Sequence, residues 1–446
     1  MASGVGEVGE VRGGWGQNGG TLATQYWVRF CVIRVAMYEY HTLANGLKII
    51  FRRTASSVVY SGVYIGVGSR HDCLGGIAGG EGMAHFIEHS LFKGTEHRRA
   101  WHILNRIDGI GGELNAFTTK EETCVYATSL TRHLPRCLEL FADILFHSTF
   151  PEAEIEREKE VVVEEINSYK DSPSESIYDQ YEELAYEGHP LAHNILGSKH
   201  NVRRFTAERL KAHMREFYTP SRMVVSVVGD VDFGRVVKWC ECYFGDYGVG
   251  NGHEPANEQP RFHQFEKVVH RHLHQAHLLI GCEAPSVYSA ERTAFSLLNN
   301  ILGGPAMNSR LNVAVRERYG FCYNIESQYV PFSDTGLFYI YAGVDAGAQE
   351  QALRIIRGEV ERIASQQLTE RQLRQAQQQM IGQMAINNDN GLNEMQSIGK
   401  AYLTFDHVDS LQEMSADVLG VDAEGLLRVA QHHFSEGRFS TLVYGS

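Results

Sequence analysis

The segment HFIEHSLFKGT, residues 85–95, holds two histidines and a glutamate within five positions, in the order H-x-x-E-H. On an α-helix, residues i, i+3 and i+4 share one face. His85 and His89 would then stand one turn apart, with Glu88 beside them. Neutral imidazoles and a carboxylate suit Zn²⁺, and a catalytic zinc takes three protein ligands and keeps a fourth position for water. The metal lowers the pKa of that water to about 7, and a neighbouring carboxylate can take its proton. The same five residues also fit an amphipathic helix that carries two histidines near its apolar edge.

A third ligand must come from elsewhere. The best source is EREKEVVVEEINSYKD, residues 156–171. Glu158 and Glu165 are seven apart and lie on one helical stripe, with Val161 and Val162 between them, and this stripe is expected to face the interior. A buried carboxylate needs a partner, because a bare buried charge is costly. Zinc would partner Glu165, and Glu158 could hydrogen-bond a ligand histidine from behind. The alternative is a solvated charged helix. His270, His272 and His274 in HRHLHQAH would line one face of a strand, but no carboxylate or cysteine completes a site there. GGP at 303–305 lacks the Lys and Ser/Thr of a phosphate-binding loop.

The elements that must position these residues mix hairpins with long helices, an α+β pattern rather than a regular βαβ alternation. Strands are expected at 57–70, 122–130 and 222–231. Helices are expected near 79–93, 98–110, 131–147, 151–171 and 206–217. Asn45-Gly46 between two β-like runs reads as a hairpin turn. Residues 246–262 are rich in Gly, Asn and Pro and read as a linker, after which strands and helices resume. TAERLKAHMREFYTPSRMVVSVVGD (206–230) aligns without a gap to DAEGLLRVAQHHFSEGRFSTLVYGS (422–446), and both read helix, turn, strand. This predicts two homologous α+β roll domains, 37–245 and 263–446, with antiparallel-rich sheets packed by helices. Only the first contains H-x-x-E-H. Residues 1–36 are Gly-rich at first and lack periodicity, so they read as a disordered extension.

Composition narrows the function. A net charge of −13 argues against nucleic acid as the main partner. No signal peptide and no apolar run long enough to span a bilayer is recognised, so a cytoplasmic chain without membrane insertion is expected. The eight cysteines are scattered; Cys240 and Cys242 are one residue apart, which is not structural zinc spacing. They read as reduced, mostly buried thiols.

With these motifs together, residues 37–446 resemble the pitrilysin/insulinase family of zinc peptidases, the inverzincins. The likeness is closest to the short-chain branch that includes the mitochondrial processing peptidase β subunit and small bacterial homologues. It rests on HFIEHSLFKGT, EREKEVVVEEI, GGELNAFTTKEETCVY (111–126) and SRLNVAVRERYGFCYNIES (309–327). The resemblance implies one zinc per chain, held by His85, His89 and Glu165, with Glu88 as general base and Glu158 behind a ligand. It implies that Asn115 and Ala116 bind the substrate backbone as an added strand. It also implies that Arg316 and Tyr323 contact the substrate carbonyl, although RERYGFCY alone reads equally as a helix end capped by Gly320. The implied activity is cleavage of peptides or unfolded polypeptide segments. Two such bodies close into a clamshell in this family, so a chain of this length implies a homodimer. A heterodimer with an inactive homologue, or a non-catalytic scaffold, are the rival readings.

Overall fold

The structure, a computed structural model, describes residues 38–73, 79–248 and 259–445. The expected extension at 1–36 and most of the expected linker lie outside the described residues. Among the described residues, eleven strands form two mixed sheets. The first contains β1 (Tyr38–Thr42), β2 (Lys48–Arg53), β3 (Val58–Ile65), β4 (Glu113–Thr118), β5 (Thr123–Leu130) and β6 (Met223–Gly229). The second contains β7 (Glu266–His270), β8 (Gln275–Glu283), β9 (Cys322–Pro331), β10 (Gly336–Asp345) and β11 (Ser440–Gly445). The helices of the first half are α1 (Met83–Ser90), α2 (Ala100–Asp108), α3 (Leu134–Phe146), α4 (Glu152–Lys170), α5 (Pro173–Ala185), α6 (Lys199–Val202), α7 (Ala207–Phe217) and α8 (Phe233–Phe244). Those of the second are α9 (Arg292–Gly303), α10 (Gln349–Ser365), α11 (Glu370–Asn388), α12 (Gly391–Phe405), α13 (Leu411–Gly420) and α14 (Ala423–His433). None is long and apolar enough to cross a membrane.

The strand orders are β1-β2-β6-β3-β5-β4 and β7-β11-β8-β10-β9. β2 runs parallel to β6 as β7 does to β11, and every other pairing is antiparallel. Leaving out β1, the two sheets have one topology, and the aligned repeats form α7–β6 and α14–β11 in equivalent places. Asn45 and Gly46 do turn β1 into β2. Gly46 has φ 87°, which favours glycine, and Asn45 Nδ2 donates to Phe244 O and Tyr247 O.

Side-chain alternation along the strands sorts each sheet into two apolar faces. In the first sheet, Ile49, Phe51, Val63, Val125 and Val225 pack under the helices of the same half. Ile50, Tyr64, Cys124, Val224 and Val228 point the other way, and Met395, Ile398 and Tyr402 of α12 cover them. In the second sheet, Leu278, Ile280, Phe338 and Ile340 face the second half's own helices. Leu279, Tyr339, Tyr341, Leu442 and Tyr444 are covered by Ile177, Tyr181 and Ala185 of α5. The halves therefore exchange helices, each roofing the other's sheet. α12 comes close enough that a Cβ on Gly399 would sit 2.7 Å from the Tyr64 ring.

The turn between β4 and β5 strengthens this union. Arg70, 1% exposed, bonds Glu121 at 2.7 Å and forks onto Asp334 of the second half. Glu121 also accepts from Ser333 N and Oγ. Lys400 of α12 pairs with Glu122 at 2.7 Å, and Lys120 pairs with Glu182 of α5 at 2.9 Å.

Mutual roofing predicts that the halves unfold as one cooperative unit. Ile398→Ala should cost about 2–5 kcal/mol, the usual range for emptying a packed aliphatic site. Calorimetry should still show one transition, shifted down. Two resolved transitions, one of them unmoved, would mean the halves melt independently.

Candidate metal centre

α1 is only eight residues long, too short to be stable alone. Its inner face, Met83, Ala84, Phe86 and Ile87, is buried in the first core. Its first backbone N–H groups are satisfied from a distance: Asp72 Oδ2 accepts from Gly82 N and Met83 N, and Oδ1 from Ala84 N, at 2.8, 3.1 and 2.8 Å. Gly82 precedes the helix at φ 92°, and a Cβ there would meet Leu196 O at 2.7 Å. The glycine-rich entry thus serves a close approach that no other residue permits.

His85 and His89 stand on one face with ring centroids 4.6 Å apart. α4 packs against α1 and presents Glu165 Oε2 at 3.7 Å from His85 Nε2 and 3.5 Å from His89 Nε2. That oxygen is buried and has no hydrogen-bond partner. Tetrahedral zinc with bonds of about 2.0–2.1 Å separates its ligand atoms by roughly 3.3 Å. The three donors lie within 4.8 Å of one another, so small adjustments would close them on one ion. Two imidazoles and an orphaned carboxylate oxygen fit a divalent metal.

Behind this set, His89 Nδ1 bonds Glu158 Oε1 at 2.8 Å, and Lys93 Nζ pairs with Glu158 Oε2 at 2.6 Å. This leaves His89 Nε2 as the nitrogen turned toward Glu165. Burial would push Glu158 up, but the bonds from His89 and Lys93 win and hold it below the usual carboxylate range. Burial lowers His89, yet the Glu158 bond and the nearby carboxylates outweigh it and its pKa is raised. His85 has no such support: burial, then the charge of His89, pushes it down to about 3, so it stays neutral with a lone pair to offer.

Glu88 completes the face. Burial raises its pKa, with Glu165 adding to the rise, while a bond to the Thr118 side chain and the charge of His89 pull it back. Thr118 lies on β4, which carries Asn115 and Ala116 and closes the end of the sheet, pairing only with β5 among the described residues. Ala116 N–H is held at 2.8 Å by the Asn115 side chain.

The predicted residues thus fall into two places. His85, Glu88, His89, Glu158 and Glu165 come together, with Asn115 and Ala116 on the adjoining edge strand. Arg316 and Tyr323 stand elsewhere, in the second half. Arg316 lies in a π-helical turn, Asn312–Glu317, with its guanidinium 5.5 Å from the Tyr323 ring centre. Tyr323 is on edge strand β9 and is 84% exposed. Neither bonds to the metal cluster among the described residues. The expectation that Val161 shares the inward stripe is wrong: it is 51% exposed. At 100° per residue the buried arc of α4 centres near Val162 and Ile166. Glu158 and Glu165 lie toward its rim, where α1 meets it, and Val161 falls beyond. Asp72, Lys93 and Thr118 were not singled out from the sequence. Lys93 had a local signal, one turn after His89; the other two act across the fold.

Known proteins resemble this chain along most of its length. Residues 48–199 match the family model described as insulinase, peptidase family M16, and residues 204–380 match the M16 inactive domain. The zinc protease YmxG of Bacillus subtilis is 34% identical over 409 residues, covering 91% of this chain and 98% of that protein. A zinc protease of Streptomyces coelicolor is 31% identical over 87% of this chain and 86% of its own. A crystal structure of a protease from Helicobacter pylori superposes with a TM-score of 0.84 at 22% identity, over 92% of this chain and 100% of that one. An M16 inactive domain from Pseudomonas fluorescens gives 0.83 at 20%, over 92% and 98%. Fold and relatives together define the class, a zinc-protease-type fold, with a candidate metal-binding cluster on its first half. The chain belongs to the M16, or pitrilysin/insulinase, family.

Glu158 orients His89, and its loss should loosen the metal without removing a ligand. Glu158→Gln should weaken zinc affinity by about 10–100-fold, the usual effect of changing a group that supports a ligand. Titration against a competing chelator measures this. Wild-type affinity in a folded variant would separate Glu158 from the metal.

Proposed function

We propose that this chain is a zinc-dependent endopeptidase that cleaves peptides or extended polypeptide segments. The observation that carries the reading is the buried, unpartnered Glu165 Oε2 facing two histidine nitrogens, with Glu88 on the same helix face. His85, His89 and Glu165 would hold one Zn²⁺ per chain, which when bound polarises a carbonyl and lowers the pKa of water. Glu88 takes the proton of the attacking water and returns it to the leaving amine. The edge of β4 at Asn115 and Ala116 accepts an extended substrate as an added strand. Ala116 N–H then exchanges its bond with the Asn115 side chain for one with the substrate. A peptide must be extended to do this, which favours short or unfolded substrates.

Arg316 and Tyr323 act on the metal site of a second subunit in this reading. The exposure of Tyr323 and the absence of a bond to the cluster in its own chain, among the described residues, support that arrangement. We place the chain in the short branch that resembles the mitochondrial processing peptidase β subunit, as a homodimer. Its near full-length match to YmxG accords with a short, single-body chain. All seven described cysteines are free, in keeping with a reducing cytoplasm. An intact H-x-x-E-H weighs against a purely structural subunit.

Glu88→Gln should keep its zinc and lose about 10²–10⁴-fold in turnover, the usual weight of a general base. Near wild-type cleavage of a quenched peptide by the zinc-loaded variant would sink this mechanism.

Sharing of the site between subunits is tested by mixing Glu88→Gln with Tyr323→Phe, each inactive alone, after dissociation and reassociation. One site of each mixed dimer joins an intact Glu88 to an intact Tyr323, so activity should return. Mixed dimers, proven by two tags, that stay as inactive as the parents would confine Tyr323 to its own chain.

A further inference from the structure

A second set of metal-ligating side chains lies outside this centre. Cys73, Glu81 and His193 each bring one donor atom within 4.8 Å of the others, the limit that also contains His85, His89 and Glu165. The three come from separate segments and are half-buried. Cys73 follows the capping residue Asp72, Glu81 immediately precedes Gly82 at the head of α1, and His193 comes from the loop after α5. Glu81 and His193 also line a cavity of about 570 Å³. Asn201 holds one Glu81 oxygen, so this donor is already oriented. His193 Nδ1 is buried and has no hydrogen-bond partner.

The other groupings among the described residues differ. His97 Nδ1 is bound by Asp143, and His147 uses both nitrogens on Glu96 and Tyr247. Both His432 and His433 lean on a single carboxylate, Glu291. Glu413 caps its own helix beside His407 and Asp409. These are pairs or caps, although His433 Nδ1 is also buried without a hydrogen-bond partner. Only the Cys73 set combines a thiol, a carboxylate and an imidazole with an unused buried nitrogen.

We propose that Cys73, Glu81 and His193 form a second metal site, for a thiolate-preferring divalent cation such as Zn²⁺. A sulfur, nitrogen and oxygen donor set suits zinc, with the fourth position turned to the cavity for water. Binding breaks the S–H bond, releases that proton to solvent, and replaces the contact between the thiol and Glu81 with bonds to the ion. The ion joins the two chain segments that cap and start α1. It is therefore a structural clamp at the root of the helix that carries His85 and His89, independent of how that helix is used.

Cobalt discriminates the two sites, because only a thiolate ligand gives a sulfur-to-cobalt charge-transfer band in the near ultraviolet. Metal-stripped full-length protein titrated with Co²⁺ should develop this band. Cys73→Ser should abolish it and lower the metal content from about two ions per chain to about one. His89→Ala should keep the band while also falling to about one ion. His193→Ala, which leaves the thiol in place, should require at least tenfold more cobalt to reach the same absorbance. The remaining ion in Cys73→Ser reports that the variant is folded; if it does not fold, the His193→Ala titration decides. No band in the wild type, a band that survives Cys73→Ser, or an unchanged titration of His193→Ala would overturn the site. None of these readouts depends on peptidase activity.

Discussion

Each sheet has two apolar faces but only one set of helices from its own half. That unmet need for cover holds the molecule together. α12 and α5 meet it by crossing over, and the crossing has a direct effect on the metal centre. α5 begins three residues after α4 ends. The helix that carries Glu158 and Glu165 is thus anchored at its C-terminal end in the core of the opposite half. The β4–β5 turn is gripped in the same way, through Arg70, Glu121 and Asp334 on one side and Lys400 and Glu122 on the other. Both the helix that carries Glu165 and the edge strand β4 are positioned by contacts that span the repeat.

Within the centre, the arrangement is a relay of opposite charges that keeps buried groups from standing alone. Lys93 neutralises Glu158, Glu158 holds His89, and His89 faces Glu165. The chain of partners stops at Glu165 Oε2. An unpartnered buried carboxylate oxygen is costly, and a dication between it and the imidazoles removes that cost. His85 depends on packing instead of hydrogen bonds. The two histidines therefore differ in how their rings are held, although the motif writes them alike.

Much of this was legible in the chain because the information was local. The spacing of His85, Glu88 and His89 puts them on one face of any helix. The seven-residue step from Glu158 to Glu165 does the same on α4. The gapless match of 206–230 with 422–446 foretold equivalent helix–strand units. What could not be read was partnership over distance. Amphipathicity shows that α5 and α12 have an apolar side, but not that each packs against the other half. Asp72 caps a helix ten residues away, Thr118 reaches Glu88 from another element, and neither leaves a pattern in its neighbours. Val161 was misplaced because a stripe drawn through two glutamates does not say which side of it is buried.

The exchange of roofs also sets an order of events at the ribosome. The first sheet has all its strands once Gly229 has emerged, yet α12 begins only at Gly391. At roughly 5–20 residues per second, Ile50, Tyr64, Val224 and Val228 wait on the order of ten seconds or more for their native cover. For that interval the nascent chain displays a sticky, strand-lined surface. Its yield in a cell therefore depends on what shields that surface during synthesis as much as on the stability of the finished fold.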